Sequence, residues 1–170
     1  SSKNSPESTD YSIAGLSGAI AEALGTGKRK AAVIVGHSLG GAVALQLAVE
    51  HPELVAGLVL IDSSALGSEI GSELLDLMAG DAGPETARGL LSLFFEDQKL
   101  VSDRGVEEMA GFQADGGWQA QQAVANAAFA DGSQSFGLDD ALGSIDKPVL
   151  LIWGENDRVI PLSHAVDALT

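Results

Sequence analysis

A short apolar run that ends in a glycine-flanked serine constrains this chain more than any other feature. Val33–Val35 is apolar and β-branched, Ser38 has a glycine two positions before it and another two positions after it, and Gly41–Glu50 has helical character. A strand, a tight turn carrying a serine and a following helix form the context of the Gly-x-Ser-x-Gly corner, which presents a serine hydroxyl to a base. The sequence therefore predicts a strand at 31–35, a strained backbone at Ser38 and a helix behind it.

The glycines of this corner have separate predicted roles. Side chains at Gly36 and Gly40 are expected to collide in so tight a turn, and Gly41 is expected to let the helix pack close to the strand. The amino terminus of the helix would direct its dipole and its amide hydrogens, including that of Leu39, at an oxyanion beside Ser38. In the alternative interpretation, Ser38 is only the N-cap of a helix that follows a glycine-rich turn.

A second informative block is Pro148–Pro161, an apolar strand followed by a Gly-x-x-Asp loop and a proline that starts the next helix. With the Gly-His-Ser-Leu-Gly-Gly corner, this block resembles the α/β-hydrolase family, in which the serine also precedes the acid. The resemblance implies an α/β class with a partial α/β-hydrolase fold, a parallel sheet core carrying an inserted helical cap. It also implies that Ser38 is the nucleophile, that Leu39 donates a backbone amide to the oxyanion and that Asp157 orients a histidine. Asp62, which follows the next strand, is the competing acid, and a turn residue is the alternative for both aspartates.

The general base is the incomplete part of this prediction. His37 lies inside the corner and is expected to pack away from the serine, and His51 ends the following helix, where a cation suits the dipole. His164 follows Asp157 in the required order, but the helix that starts at Pro161 leads it away from the active edge. In the family that the chain resembles, the histidine follows one further strand, and a second oxyanion donor comes from an earlier His-Gly-type loop. We therefore expect the chain to be a fragment holding the middle and later part of the fold, with His164 as a candidate base.

The spacing of apolar residues predicts three segments. Residues 1–64 form a core with a helix, the strand before Ser38 (the elbow strand), the helix after it (the elbow helix) and the next strand. Residues 65–144 form a helical cap, and residues 145–170 return to the core with the strand before Asp157 (the acid strand) and a helix. The elbow strand lacks alternation, which predicts that both of its faces are covered, as in a parallel sheet. Asp10 is expected to cap the first helix.

The predicted cap supplies the apolar residues that would surround a substrate. Its helices are expected at 69–79, 84–95, from Asp103 onward and at 118–130, with a break at Gly116 and Gly117. Inserted helices of this kind exclude water from an active site. Five large side chains are assigned either to a pocket or to the packed interior of the cap: Met78, Phe94, Phe95, Phe112 and Trp118.

Composition excludes several functions. The 170 residues include 9 basic and 24 acidic side chains, for a net charge of −15, which disfavours nucleic acid and anionic membranes as partners. The absence of cysteine removes thiol catalysis and fits a reducing, cytoplasmic compartment. No apolar run approaches the roughly 20 residues of a membrane span, and no cluster of ligands suits a metal. We expect no cofactor.

Three functions follow from these observations. The first is a hydrolase that acts on a small ester, thioester or C–C-linked ketone through an acyl-enzyme on Ser38. The second is an acyltransferase component of an acetoin or 2-oxo-acid dehydrogenase complex, with a lipoyl domain or a complex subunit as partner. The third is an inactive fragment that lacks the catalytic histidine. The second rests on a resemblance to the hydrolase domain of the acetoin dehydrogenase acetyltransferase components, which is carried by four segments: Phe94–Asp97, Leu100–Ser102, Gly117–Trp118 and Phe129–Gln134.

Overall fold

The computed structural model of the chain describes residues 10–25, 30–134, 136, 138 and 143–169. Its contacts group into two units. The sheet unit comprises the described residues of 1–66 and 136–152, and the helical unit comprises those of 67–135 and 153–170. The main elements in chain order are α1 (Ile13–Gly25), β1 (Ala32–His37), α2 (Leu39–Glu50), β2 (Val55–Ile61), α3 (Ser72–Ala79), α4 (Pro84–Phe94), α5 (Asp103–Phe112), α6 (Trp118–Ala128), β3 (Val149–Ile152) and α7 (Ser163–Asp167).

The sheet unit is built on three parallel strands in the order β1-β2-β3. Strand β1, helix α2 and strand β2 form one crossover unit, so the predicted α/β class and parallel sheet are confirmed. Helix α2 covers one face of the sheet and α1 packs against α2. Leu45 and Leu47 of α2 and Leu58 and Leu60 of β2 are at most 2% exposed. Burying each such side chain stabilises the fold by about 2–3 kcal/mol, which fixes α2 on this face.

The opposite face of the sheet is apolar and exposed. The register pairs Val35 with Val59 and Val59 with Leu150, so the three side chains share one face. Val35 is 62% exposed and Leu150 is 55% exposed. The prediction that the elbow strand is covered on both faces is therefore wrong for the described part of the chain, because α1 and α2 both lie on the other side.

Helix α1 begins differently from the prediction. Ser12, and not Asp10, occupies the N-cap position, and its Oγ accepts a hydrogen bond of 3.0 Å from the Gly15 amide. Asp10 acts one step earlier, since its Oδ1 accepts from the Ser12 amide at 2.9 Å. Ser12 therefore caps the helix, and Asp10 stabilises the turn that precedes it.

The helical unit follows the predicted helices closely. Helix α3 starts at Ser72, α4 begins at Pro84, and Ser102 caps α5 by accepting a 3.1 Å hydrogen bond from the Gly105 amide. Gly116, with φ of 88°, makes the predicted break between α5 and α6. The core of this unit consists of Leu93, Val159 and Ile160 with Ile70, Leu74, Leu77 and Trp153 packed against it.

These contacts join the loop after β3 to the helices, while β3 itself groups with the sheet unit. The division into a core at 1–64, a cap at 65–144 and a core at 145–170 stays a prediction.

Candidate active site

The corner between β1 and α2 holds Ser38 in a strained conformation. Its φ is 53° and its ψ is −124°, a combination that L-residues rarely adopt and that costs on the order of 1–3 kcal/mol. Three backbone hydrogen bonds hold it: the Ser38 amide donates to the Ile61 carbonyl at 2.9 Å, and the Ser38 carbonyl accepts from Gly41 at 2.9 Å and from Ser64 at 3.0 Å. The predicted strained backbone at Ser38 is confirmed.

The three glycines around Ser38 are not equivalent. A Cβ on Gly36 would collide with the Gly40 carbonyl, and a Cβ on Gly41 would collide with Ser63, 2.6 Å from its Cβ. The role predicted for Gly36 is confirmed, whereas Gly41 permits a close approach of α2 to Ser63 in the loop after β2 and not, as predicted, to the strand before Ser38. The prediction for Gly40 is wrong: apart from its own helix backbone and its chain neighbours, a Cβ built there meets no described residue within 4 Å. Gly40 lies on the exposed side of the first turn of α2, where a side chain has room.

Backbone strain is concentrated at the carboxyl edge of the sheet. Across the described ranges, the non-glycine residues with positive φ are Ser38, Asp62 at 42° and Ala65 at 73°. All three follow β1 or β2, and the Asp62 amide continues the sheet by donating to the Ile152 carbonyl at 2.9 Å. Strained residues cluster where surrounding structure over-determines a functional geometry. Asp62, the competing acid, therefore lies at the same edge as Ser38.

Helix α2 begins at Leu39, directly after the serine. The first four amides of a helix have no intrahelical acceptor, so the Leu39 amide has no acceptor within α2 and lies at the end of the helix where the dipole attracts an anion. His51 ends the same helix, as predicted, with its amide donating to the Leu47 carbonyl at 2.8 Å and Nδ1 at 3.6 Å from Glu53. His37 is exposed, so the packing role predicted for it is not found among the described residues.

Asp157 lies in the helical unit, in the loop after β3. Its Oδ1 accepts from the Val159 amide at 2.7 Å and from the Ile160 amide at 3.0 Å. Trp153 donates from Nε1 to the Ile160 carbonyl at 3.0 Å, which fixes the same turn from the other side. The carboxylate thus organises the turn before Pro161 and does not cap α7.

His164 is buried in the helical unit, with 4% of its surface exposed. Its Nε2 lies 3.6 Å from the Glu69 carboxylate, and a Cβ on Gly67 would stand 2.6 Å from the same nitrogen. Nδ1 is buried and has no hydrogen-bond partner in the part of the chain that the structure describes. This packing gives His164 a structural position between Gly67 and Glu69.

The five apolar residues assigned to a pocket or to packing divide into two groups. Trp118 is 6% exposed and belongs to the interior of the helical unit, and Met78 is half-buried. Phe94 is 54% exposed and Phe95 is 38% exposed. Phe112 is 41% exposed, and its ring lies over Gly117, where a Cβ would be 2.5 Å from Cζ.

Three residues that contact predicted site residues were not singled out from the sequence. Ser63 and Ser64, both fully buried, lie against the corner, and Glu69 faces His164. The run of small residues Ser63–Ala65 directly after a strand was the available signal for close packing at this edge. No comparable signal connects Glu69 with His164.

Neither a metal centre nor a membrane span is found in the described ranges. No three His, Cys, Asp or Glu side chains there are placed to hold an ion. Likewise, none of the helices described is long and apolar enough to cross a bilayer.

Comparison with known proteins places these features in context. The profile of the Alpha/beta hydrolase family matches residues 3–170. Over 164 residues the chain is 30% identical to the dihydrolipoyllysine-residue acetyltransferase component of the acetoin cleaving system of Cupriavidus necator. This match covers 96% of this chain and 44% of that protein. Over 139 residues it is 35% identical to the 2-hydroxymuconate semialdehyde hydrolase of Pseudomonas putida, which covers 78% of this chain and 48% of that protein.

The fold is also found in solved structures. A variant of the meta-cleavage product hydrolase of Pseudomonas fluorescens, complexed with acetates, matches with a TM-score of 0.83 at 23% identity. The match covers 97% of this chain and 61% of the hydrolase. The chain spans about half the length of the curated relatives it matches.

Proposed function

Because the chain belongs to the Alpha/beta hydrolase family, we propose that the protein cleaves a small ester, thioester or C–C-linked ketone through an acyl-enzyme on Ser38. The observation that carries this proposal is the backbone of Ser38, whose φ of 53° at the β1–α2 corner suits a projecting nucleophile. A serine that only capped α2 would have no need of this strain, and its side chain makes no capping hydrogen bond among the described residues.

The proposed reaction has two halves. Ser38 Oγ attacks the carbonyl carbon and gives up its proton to a general base, and the Leu39 amide with the α2 dipole stabilises the oxyanion. Collapse of the tetrahedral intermediate breaks the bond to the leaving group, which takes the proton from the base. Water then adds to the acyl-enzyme by the same route and releases the acid and the free serine.

The proposed acid is Asp157. Two amides hold its Oδ1 and fix the orientation of the carboxylate, which leaves Oδ2 as the oxygen for a histidine. Burial of His164 against Gly67, with Nε2 toward Glu69, favours a structural role over a role as base. Since the chain spans about half of its relatives, we assign the base to a part of the full-length protein outside this sequence.

Labelling with a fluorophosphonate, read by intact mass, tests the nucleophile. The full-length protein is expected to take up one equivalent, and Ser38→Ala is expected to take up none. The chain of 170 residues alone is expected to label slowly or not at all, since its triad would be incomplete. No adduct on a folded full-length protein would overturn the serine mechanism and favour an inactive hydrolase-like protein.

A second candidate function is acyl transfer within a dehydrogenase complex. It is favoured by the 30% identity, over 96% of this chain, to the acetyltransferase component from Cupriavidus necator. In this reaction a dihydrolipoyl thiol replaces water as the acceptor on the acyl-enzyme. Products from an acetyl thioester, measured with and without dihydrolipoamide, separate the two: a transferase forms acetyl-dihydrolipoamide in preference to acetate, and a hydrolase forms acetate at the same rate in both.

A further inference from the structure

Ser63 packs tightly against Gly41 directly behind the corner that holds Ser38, and we call this contact the interlock. Ser63 follows β2, is 0% exposed and donates from Oγ to the Ser64 carbonyl at 2.8 Å. Burial and this hydrogen bond together hold the side chain in place. A Cβ on Gly41 would overlap the Ser63 hydroxyl and lie 2.6 Å from the Ser63 Cβ. The space between the two residues accommodates a serine opposite a glycine and nothing larger.

The same two segments hold the backbone of the serine. The Ser38 carbonyl accepts from the Gly41 amide at 2.9 Å and from the Ser64 amide at 3.0 Å. One of these amides belongs to the first turn of α2, and the other belongs to the loop that carries Ser63. The distance between the turn and the loop therefore sets whether the carbonyl can accept both hydrogen bonds.

We propose that Ser63 is a positioning residue for Ser38. Its size sets the separation between the loop after β2 and the first turn of α2, and this separation fixes the peptide on the carboxyl side of Ser38. That peptide carries the Leu39 amide, so the interlock controls both the nucleophile and the oxyanion donor. The effect on catalysis rests on the proposed serine mechanism, whereas the interlock itself does not.

The hydroxyl of Ser63 is the lesser part of this role. Its partner is the carbonyl of the adjacent Ser64, so its loss leaves the loop tied to Ser38 through the Ser64 amide. A change of volume, by contrast, separates the loop from α2. The proposal therefore predicts that Ser63→Ala is tolerated and that Ser63→Val is not.

The experiment measures the rate constant of fluorophosphonate labelling in the full-length protein and four variants. Ser63→Val and Gly41→Ala each crowd the interlock, and labelling is expected to slow by about 100-fold, the effect of a misplacement on the order of 1 Å. Ser63→Ala is expected to stay within about threefold of the parent. The double variant Gly41→Ala with Ser63→Gly removes the clash and is expected to recover at least about tenfold over Gly41→Ala alone.

A matched control and a second readout separate positioning from a general loss of structure. Gly18 of α1 has open space in the described structure, so Gly18→Ala makes the same chemical change and should label like the parent. The amide chemical shifts of Ser38 and Leu39 should move in Gly41→Ala and return in the double variant. Normal labelling in Ser63→Val, or no recovery in the double variant, would overturn the proposal.

The same readouts keep this proposal apart from the proposed function. If the parent protein does not label but the shifts move and return as described, the interlock stands and the serine mechanism fails. If the parent labels and the shifts of Ser38 and Leu39 are indifferent to Gly41→Ala, the mechanism stands and the interlock fails. Should Gly41→Ala prove too unstable to purify, Ser63→Val against Ser63→Ala gives the decision alone.

Discussion

The Ser38 corner and the Asp157 loop both follow parallel strands and both are held by hydrogen bonds, yet only the corner also depends on the absence of side chains. At the corner the backbone is strained, with φ of 53°, and glycines are required where side chains would overlap. In the acid loop the amides of the turn have hydrogen-bond acceptors, because one oxygen of Asp157 accepts hydrogen bonds from the Val159 and Ile160 amides. The candidate nucleophile is thus placed by backbone hydrogen bonds together with tight steric limits, and the candidate acid is placed by hydrogen bonds to its side chain. The two regions should therefore fail under different substitutions.

The largest expected effect is on catalysis and comes from the charge of Asp157, the proposed acid. Asp157→Asn keeps an oxygen that can accept from Val159 and Ile160, but it removes the charge that would stabilise a protonated histidine. We expect turnover by the full-length protein to fall by about 10³–10⁴-fold, with the unfolding midpoint nearly unchanged. The same change at Asp62 distinguishes the two acids. A larger loss in Asp62→Asn than in Asp157→Asn would assign the acid to Asp62.

The next effect separates two glycines four residues apart. Gly36→Ala places a Cβ against the Gly40 carbonyl, which is backbone and cannot move aside. We expect it to lower the free energy of unfolding by about 3 kcal/mol, measured by urea denaturation. Gly40→Ala meets open space in the described structure and improves helix propensity, so its effect should lie within about 1 kcal/mol and be stabilising. Equal losses in both variants would show that the corner is not limited by volume.

These glycines also show what the sequence could and could not predict. The strand–turn–helix pattern was sufficient to predict the strain at Ser38 and the close approach at Gly36, because these sterics act within a few residues of the chain. The pattern also indicated that Gly41 lies in a tight contact, but not that its neighbour is Ser63 from the loop after β2. The family resemblance is likewise confirmed. The open space at Gly40 was not predictable, since it depends on which side of α2 faces the sheet.

Tertiary contacts account for the other differences. The face at Val35 was predicted to be covered because an apolar run without alternation is typical of a strand buried on both faces. Val35 is nevertheless exposed, since the helices that contact the sheet lie on its other face and the strand sequence does not specify their positions. His164 and Glu69, which lie side by side in the structure, are 95 positions apart in the sequence. Neither local spacing nor composition carries such information.

A smaller effect concerns the stability of the acid loop. Asp157→Ala removes the oxygen that accepts from two amides, whereas Asp157→Asn retains an oxygen that can accept from both. Because both variants lack the charge, the difference in their stabilities isolates the hydrogen bonds. We expect Asp157→Ala to be about 1–2 kcal/mol less stable than Asp157→Asn in urea denaturation. Identical stabilities would mean that the turn is held by Trp153 and the surrounding packing, and the contrast with the corner would then be lost.

The smallest effect is at Asp10, an exposed counterpart of Asp157. Its Oδ1 accepts from the amide two residues on, as in the acid loop, and hydrogen bonds from the Ser12 amide and then the Ser12 hydroxyl hold the pKa of Asp10 below its usual value of 3.8. Because the pKa is lower in the folded chain, the stabilisation is present above pH 3.8 and is lost as the pH falls through the folded-state pKa.

The chemical shift of the Ser12 amide, followed by NMR from pH 6 to about pH 2, should titrate with a midpoint below 3.8. Asp10→Asn should abolish this titration and leave the helix in place, since an amide oxygen can still accept from Ser12. A midpoint at or above 3.8 would show that exposure to water cancels the hydrogen bonds. In that case the hydrogen bonds that place Asp157 would depend on its partial burial. The acid loop would then need the packing of the helical unit as much as the Ser38 corner needs its glycines.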